Sequence, residues 1–185
     1  MKAIETVYNG FRFRSRLEAR WAVFFDELGL VYQYESEGYD LGKFGWYLPD
    51  FWLPDVRGGL LVEIKPFGKW DNHPMFEYLE EAHNSKNWEV LNKYCSNFIV
   101  LSGDPWVNLN GDTSSSAYSG QAYGDFPYYW CVCPCCGRFG IEWEGYGNRV
   151  CGGYCVKEGI DTRRDERLVL AYTAARQARF EHQST

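Results

Sequence analysis

Between positions 47 and 66 the chain reads YLPDFWLPDVRGGLLVEIKP, two short apolar runs on either side of a Gly-Gly turn. Runs of this length, rich in aromatic and aliphatic residues and bounded by Pro, Asp and Gly, have the character of strands. The sequence predicts a hairpin here, with strands over roughly 46–53 and 60–65 joined by PDVRGG. Residues two apart share a strand face, so Val62 and Ile64 point into a core while Glu63 and Lys65 point the other way. A hairpin symmetric about 54–59 sets Leu53 against Leu60 and brings Asp50 opposite Glu63. Side chains so opposed have Cβ atoms about 4.5–5.5 Å apart. Two carboxylates that close repel, and one is driven to hold its proton. A divalent cation between them removes the conflict, and Mg²⁺ favours a site of one or two carboxylates completed by water and phosphate oxygens. A one-residue slip of register separates the pair, and Glu-x-Lys on a strand is also the ordinary pattern of a solvent-facing edge.

The elements around the hairpin follow from periodicity. RLEARWAVFFDEL (16–28) places Leu17, Trp21, Phe24, Phe25 and Leu28 at helical spacing, with Ser15 as N-cap and Gly29 as stop. VYQYE (31–35) alternates like a strand, residues 75–94 carry one helical face through Phe76, Leu79 and Ala82, and NFIVLSG (97–103) has the character of a buried strand. The predicted order is helix, three strands, helix, strand. The stretch 104–127, rich in Gly, Ser, Tyr and Asn, is expected to be a linker or long loop. A closing helix is expected near 163–181, where Leu168, Tyr172, Ala175 and Ala178 share a face.

Pro49-Asp50, twelve intervening residues and Glu63-Ile64-Lys65 resemble the PD-(D/E)xK motif of the restriction-endonuclease-like nucleases. SRLEARWAVFFDELGLVYQYE (15–35) is similar to a branch of that superfamily that includes the endonuclease subunit of heteromeric bacterial transposases and many phage-encoded proteins. The resemblance covers roughly residues 11–103. It implies an α/β (α+β) core, a central mixed sheet flanked by helices in the order αβββαβ, over residues 1–103. It implies that Asp50 and Glu63 bind Mg²⁺ or Mn²⁺, that the Ile64 carbonyl adds a ligand, and that Lys65 aligns the attacking water. Glu18, on the first helix, is implied as a further metal ligand, direct or through water. Ser15-Arg16-Leu17-Glu18 is equally a capping box, with Glu18 reaching back to the Ser15 amide. Lys69, His73 and Lys86 follow the hairpin as possible phosphate contacts, with plain surface as the ordinary alternative.

Seven cysteines, six of them between Cys131 and Cys155, suit a metal site better than a disulfide scaffold. Cys133-Pro-Cys-Cys136-Gly137 has the form of a zinc knuckle, and Cys151 and Cys155 supply a second pair fourteen residues further on. Two tight turns offering four thiolates make a tetrahedral, closed and therefore structural Zn²⁺ site. Cys131 and Cys135 are alternative members of the set, and buried or disulfide-bonded cysteines are the competing explanation. A small zinc-ribbon-like module is expected over 128–160, with the C-terminal helix occupying 161–185.

A net charge of −6 excludes a protein that coats nucleic acid by bulk electrostatics, but not an enzyme with local basic clusters. Arg12, Arg14, Arg16 and Arg20 form one such cluster, of which Arg14, Arg16 and Arg20 are expected to hold a DNA backbone. No stretch approaches the roughly 18 apolar residues of a membrane span, so the expectation is a soluble, cytoplasmic protein of a bacterial cell or phage-infected host, with no membrane partner. The function expected is metal-dependent hydrolysis of phosphodiester bonds in DNA, most simply endonucleolytic. The alternatives are a non-catalytic module binding nucleic acid or protein on the same fold, and a nuclease component active only with protein partners in a larger complex. Oligomeric state is left open.

Overall fold

Ser15 begins the first helix as expected. Its backbone is extended and its hydroxyl oxygen accepts the Glu18 N–H at 3.2 Å, which starts α1 (Arg16–Glu27). Trp21, Phe24 and Phe25 are buried on its inner face. Gly29, at φ +65°, ends the helix: its N–H donates to Asp26 O and that of Leu30 to Phe25 O, the paired bonds of a Schellman motif. In the computed structural model, residues 3–67, 73–95, 97–106, 116–119, 128–143, 150 and 162–180 are described.

Before α1 lies a hairpin, β1 (Thr6–Tyr8) and β2 (Phe11–Phe13). After it come β3 (Gln33–Tyr34), β4 (Tyr39–Asp40), β5 (Trp46–Tyr47), β6 (Phe51–Leu53) and β7 (Leu60–Lys65). α2 (Pro74–Asn84), the short α3 (Trp88–Val90) and a π turn over 91–95 then lead into β8 (Phe98–Ser102). The chain continues through β9 (Ser116–Ser119), β10 (Tyr128–Val132), β11 (Phe139–Trp143) and α4 (Glu166–Gln177). The main sheet has seven strands in the order β11-β10-β9-β8-β7-β6-β3. β7 pairs antiparallel with β6 and parallel with β8. A parallel neighbour requires a crossover, and the α2–α3 segment provides it. The fold is mixed α and β, and among the described residues no helix is long and apolar enough to cross a membrane.

Both faces of the central strands are covered, which is why LLVEIK and FIVLS are almost entirely buried. Phe51, Leu53, Val62, Ile64, Ile99 and Leu101 join the α1 and α4 side chains in one cluster. Leu61, Phe98 and Val100 join Met75 and Leu79 of α2 in another.

Three expectations differ from the structure. The predicted strand 46–53 is interrupted: Trp46–Tyr47 pairs with Tyr39–Asp40, and only Phe51–Leu53 joins β7. Pro49 has no N–H to give a ladder and restricts the residue before it, so the run breaks there. The predicted helix 75–94 stops at Asn84, where Ser85 caps it and Lys86 turns at φ +54°. The Cys-rich hairpin also extends the main sheet. β10 pairs with β9, β9 with β8, and Trp130 and Ile141 are buried in the same cluster as Phe51. α4, within the expected 163–181, packs on α1 through Tyr172, whose ring lies 4.5 Å from that of Phe24.

Candidate functional site

The predicted register is the observed one: Leu53 faces Leu60, Trp52 faces Leu61 and Phe51 faces Val62. Continued by one residue, it sets Asp50 across from Glu63. Asp50 stands just before β6, and its carboxylate does not face solvent. Oδ2 accepts the Ile64 N–H at 2.7 Å, and Oδ1 accepts from Arg14 Nη2 at 2.5 Å. Ile64 thus contributes its amide to the Asp50 carboxylate, and its carbonyl, the expected ligand, lies on the same edge of β7 as that amide, since Leu61 and Lys65 are the residues whose backbone bonds toward β8.

Glu63 is held on both oxygens. Oε1 accepts from Lys65 Nζ at 2.5 Å, Oε2 accepts the Tyr47 hydroxyl at 3.1 Å, and His73 Nε2 lies 3.7 Å from Oε1. Asp50 is 1% and Glu63 5% exposed, so the solvent-facing edge is ruled out for Glu63. Burial, and next the charge of Glu63, push the Asp50 carboxyl up to about 7, against the Ile64 amide and Arg14. Burial pushes Glu63 upward as well, but His73 and Lys65 outweigh it and hold that carboxyl below the ordinary glutamate value. Burial and the same carboxylate drive the Tyr47 phenol well above its usual value.

Glu18 joins this group from α1. Its Oε1 accepts the Ser15 hydroxyl at 2.7 Å, and its Oε2 accepts the Tyr34 hydroxyl at 2.7 Å and the Arg14 N–H at 3.0 Å. The carboxylate therefore reaches the Arg14 amide and not the Ser15 amide of a simple capping box. Its charge is also among those raising the Asp50 value, so it belongs electrostatically to the site.

Of the arginines expected to hold a DNA backbone, Arg14 and Arg20 form ion pairs within the chain. Arg14 lies between acids: Nη2 on Asp50, and Nε on Glu35 Oε1 at 2.6 Å. Arg20 pairs with Asp104 at 2.5 Å, and Arg16 is half-buried in the first turn of α1. Lys86 is exposed in the turn after α2, whereas Lys69 lies outside the described residues. His73, expected at the surface, is 7% exposed and packs against Phe98.

Sequence analysis missed four contributors: Tyr34, Glu35, Tyr47 and the buried role of His73. Glu35 carries one signal that only coordinates reveal. Its backbone sits at φ +45°, rare for a non-glycine residue, while its N–H donates to Asp50 O at 3.0 Å. Glu18, Glu35, Asp50 and Glu63 thus lie around two basic side chains, Arg14 and Lys65. Among the described residues no three His, Cys, Asp or Glu side chains converge closely enough to form a complete metal cage.

Of the predicted zinc ligands, Cys133 and Cys136 share the turn between β10 and β11. The Gly137 N–H donates to Cys133 O at 2.9 Å, and the Cys133 N–H donates to Arg138 O at 2.8 Å. Cys133 is buried and Cys136 exposed. Of the alternatives, Cys135 is exposed in the same turn, while Cys131 is buried in β10 with its thiol directed at Gly140 O, 3.7 Å away. Cys151 and Cys155 lie outside the described residues. No family model, no curated protein and no solved structure matches the chain.

Proposed function

We propose that the chain is a divalent-metal-dependent nuclease that hydrolyses phosphodiester bonds in DNA, most simply as an endonuclease. The observation that carries this is the meeting of two buried carboxylates, Asp50 and Glu63, at adjacent antiparallel strands, with Lys65 one pleat beyond. With the small β4–β5 pair and the short turns beside it and after α2 set aside, the order α1, β3, β6, β7, α2, β8 supports the same class, since it is the order expected of a restriction-endonuclease-like core.

The residues fit Mg²⁺ or Mn²⁺. All donors are hard oxygens, and burial, with the neighbouring Glu63 charge, raises the Asp50 carboxyl, a cost that a bound cation would offset. Asp50 and Glu63 would hold the ion, with the Ile64 carbonyl as a further donor and Glu18 reaching it through water. Bound there, the ion supplies Lewis-acid polarisation of a phosphoryl oxygen and a lower pKa for water. Lys65, whose side chain is partly exposed, turns its ammonium from Glu63 to the attacking water and to the charge growing on phosphorus. Arg14 lies between the acids and solvent, and it releases Asp50 to donate to a flanking phosphate. Tyr47 and Tyr34 keep Glu63 and Glu18 from swinging away as these cations move. For the knuckle turn we propose a structural Zn²⁺ on Cys133 and Cys136, completed by Cys151 and Cys155.

The test is cleavage of supercoiled plasmid and of single-stranded DNA with Mg²⁺ or Mn²⁺, by wild type and by Asp50→Ala. Metal-dependent nicking that vanishes in a folded Asp50→Ala protein is the expected result. Retained nicking in that variant overturns the assignment. DNA binding with no cutting in either metal favours the non-catalytic module. Cutting that starts only when partner proteins are added favours a component of a larger complex.

A further inference from the structure

His73 does two things with its two ring nitrogens. Nδ1 accepts the Met75 N–H at 3.2 Å and so caps α2, where Pro74 occupies the first turn. A ring that accepts at Nδ1 carries its hydrogen on Nε2, and Nε2 lies 3.7 Å from Glu63 Oε1. The ring has little freedom to turn away. It stacks on Phe98 at 5.4 Å with 27° between planes, and Tyr47 meets it edge-on at 5.1 Å. A histidine that only capped a helix would not need its far edge aimed at a buried carboxylate.

The proposed chemistry makes that edge useful. Lys65 holds Glu63 Oε1 at 2.5 Å, yet it is also the group that has to turn to the water and phosphate. A carboxylate this buried is costly to leave without its charged donor. Tyr47 stays on the other oxygen, and His73 Nε2–H is the remaining described donor near Oε1. At 3.7 Å the contact is longer than a hydrogen bond, and a small rotation of the carboxylate closes it once the ammonium has left. We infer that His73 is a positioning residue: its Nε2–H takes over Glu63 Oε1 when Lys65 turns to the phosphate, so that Glu63 keeps the orientation of a metal ligand. This rests on the nuclease assignment above.

Two variants separate the two nitrogens. In His73→Asn the short amide oxygen can still accept the Met75 N–H, as asparagine does at helix N-caps, but the side chain does not reach Glu63. In His73→Gln the longer amide can donate to Glu63 at the expense of the cap. Mn²⁺ affinity is measured by titration calorimetry with an uncleavable DNA duplex bound, so that a phosphate is there to draw Lys65 away, alongside thermal unfolding, with kcat and KM for cleavable DNA as a second readout. Expected for His73→Asn is a Tm near wild type, Mn²⁺ affinity weaker by about tenfold or more, and a lower kcat at unchanged KM. Expected for His73→Gln is a Tm lower by about 2–4 °C, with affinity closer to wild type than that of His73→Asn. Wild-type affinity in His73→Asn, or affinities that follow Tm across the two variants, overturn the positioning role. A wild-type protein that binds no Mn²⁺ overturns the metal site and this inference together, whereas wild-type binding without loss in His73→Asn overturns this inference alone.

Discussion

On one face of β7, Val62 and Ile64 lie in an apolar cluster with Phe24, Phe25, Phe51 and Trp130. On the other face, one residue away, Glu63 and Lys65 lie among Tyr47, His73 and the residues of α2. Both faces are buried, so burial alone does not distinguish them; the kind of partner does. The first face gains from removing aromatic and aliphatic area from water, and nothing there is directional beyond packing. The second face keeps two carboxylates out of water, which costs stability unless every oxygen is donated to. Here each of the four carboxylate oxygens of Asp50 and Glu63 accepts a donor, and the strands that carry them are held in place by the apolar face behind.

The contrast can be broken most decisively at Asp50. Asp50→Asn keeps the shape and removes the charge, so cleavage is expected to fall by at least about a thousandfold. Thermal unfolding at neutral pH is expected to occur no lower than in wild type, since a buried charge is relieved. A large drop in Tm would mean that the carboxylate serves stability and that the two faces are alike. The opposite cut is Ile99→Ala, fully buried in the apolar cluster. It is expected to cost about 2–5 kcal/mol in denaturant unfolding, while the folded fraction retains wild-type Mn²⁺ affinity.

A pH titration sharpens the comparison further. The Asp50 carboxyl is raised from 3.8 to about 7, so the folded chain binds its proton more tightly than the unfolded chain does. Its stabilising contribution is complete below pH 3.8 and disappears as pH rises through 7. Glu63 acts with the opposite sign: its depressed value contributes stability above the ordinary glutamate pKa that is lost in acid. Stability is therefore expected to decline between about pH 4 and 7 through Asp50, and to stop declining in Asp50→Asn. Millimolar Mg²⁺ should raise Tm at pH 8 and leave it unchanged near pH 4, read by calorimetry. The smallest effect lies at the helix that joins the two faces. Ser15→Ala removes the cap of α1 and a donor to Glu18, for about 1 kcal/mol and a Tm lower by about 2–4 °C.

Much of the site was legible because it is local. Leu53 against Leu60, and through them Asp50 toward Glu63, follow from a period-two pattern and a symmetric turn. Ser15 and Gly29 bound α1 for reasons contained in four or five residues. Asn9-Gly10 is equally local: both residues adopt positive φ, +46° and +81°, which such a hairpin turn requires. The break at Pro49 was written in the chain too, since proline cannot continue a ladder, but the apolar run around it masked the signal.

The sequence by itself determined α1, the register of the β6–β7 hairpin, which way its side chains alternate, and that two acids and a lysine fall on one side of it, because alternation and turn chemistry act between near neighbours. Only the tertiary structure decided what surrounds them. Tyr47 reaches Glu63 because the chain bends at Pro49, His73 faces it because α2 crosses over β7, and Arg14 enters because β2 lies beside β3 and β6. It also decided that the Cys133 turn belongs to strands of the main sheet, through β9 within a stretch whose composition suggested a linker. These contacts join residues with no shared periodicity, and they form because burying the common aromatic core fixes the elements on which those residues ride.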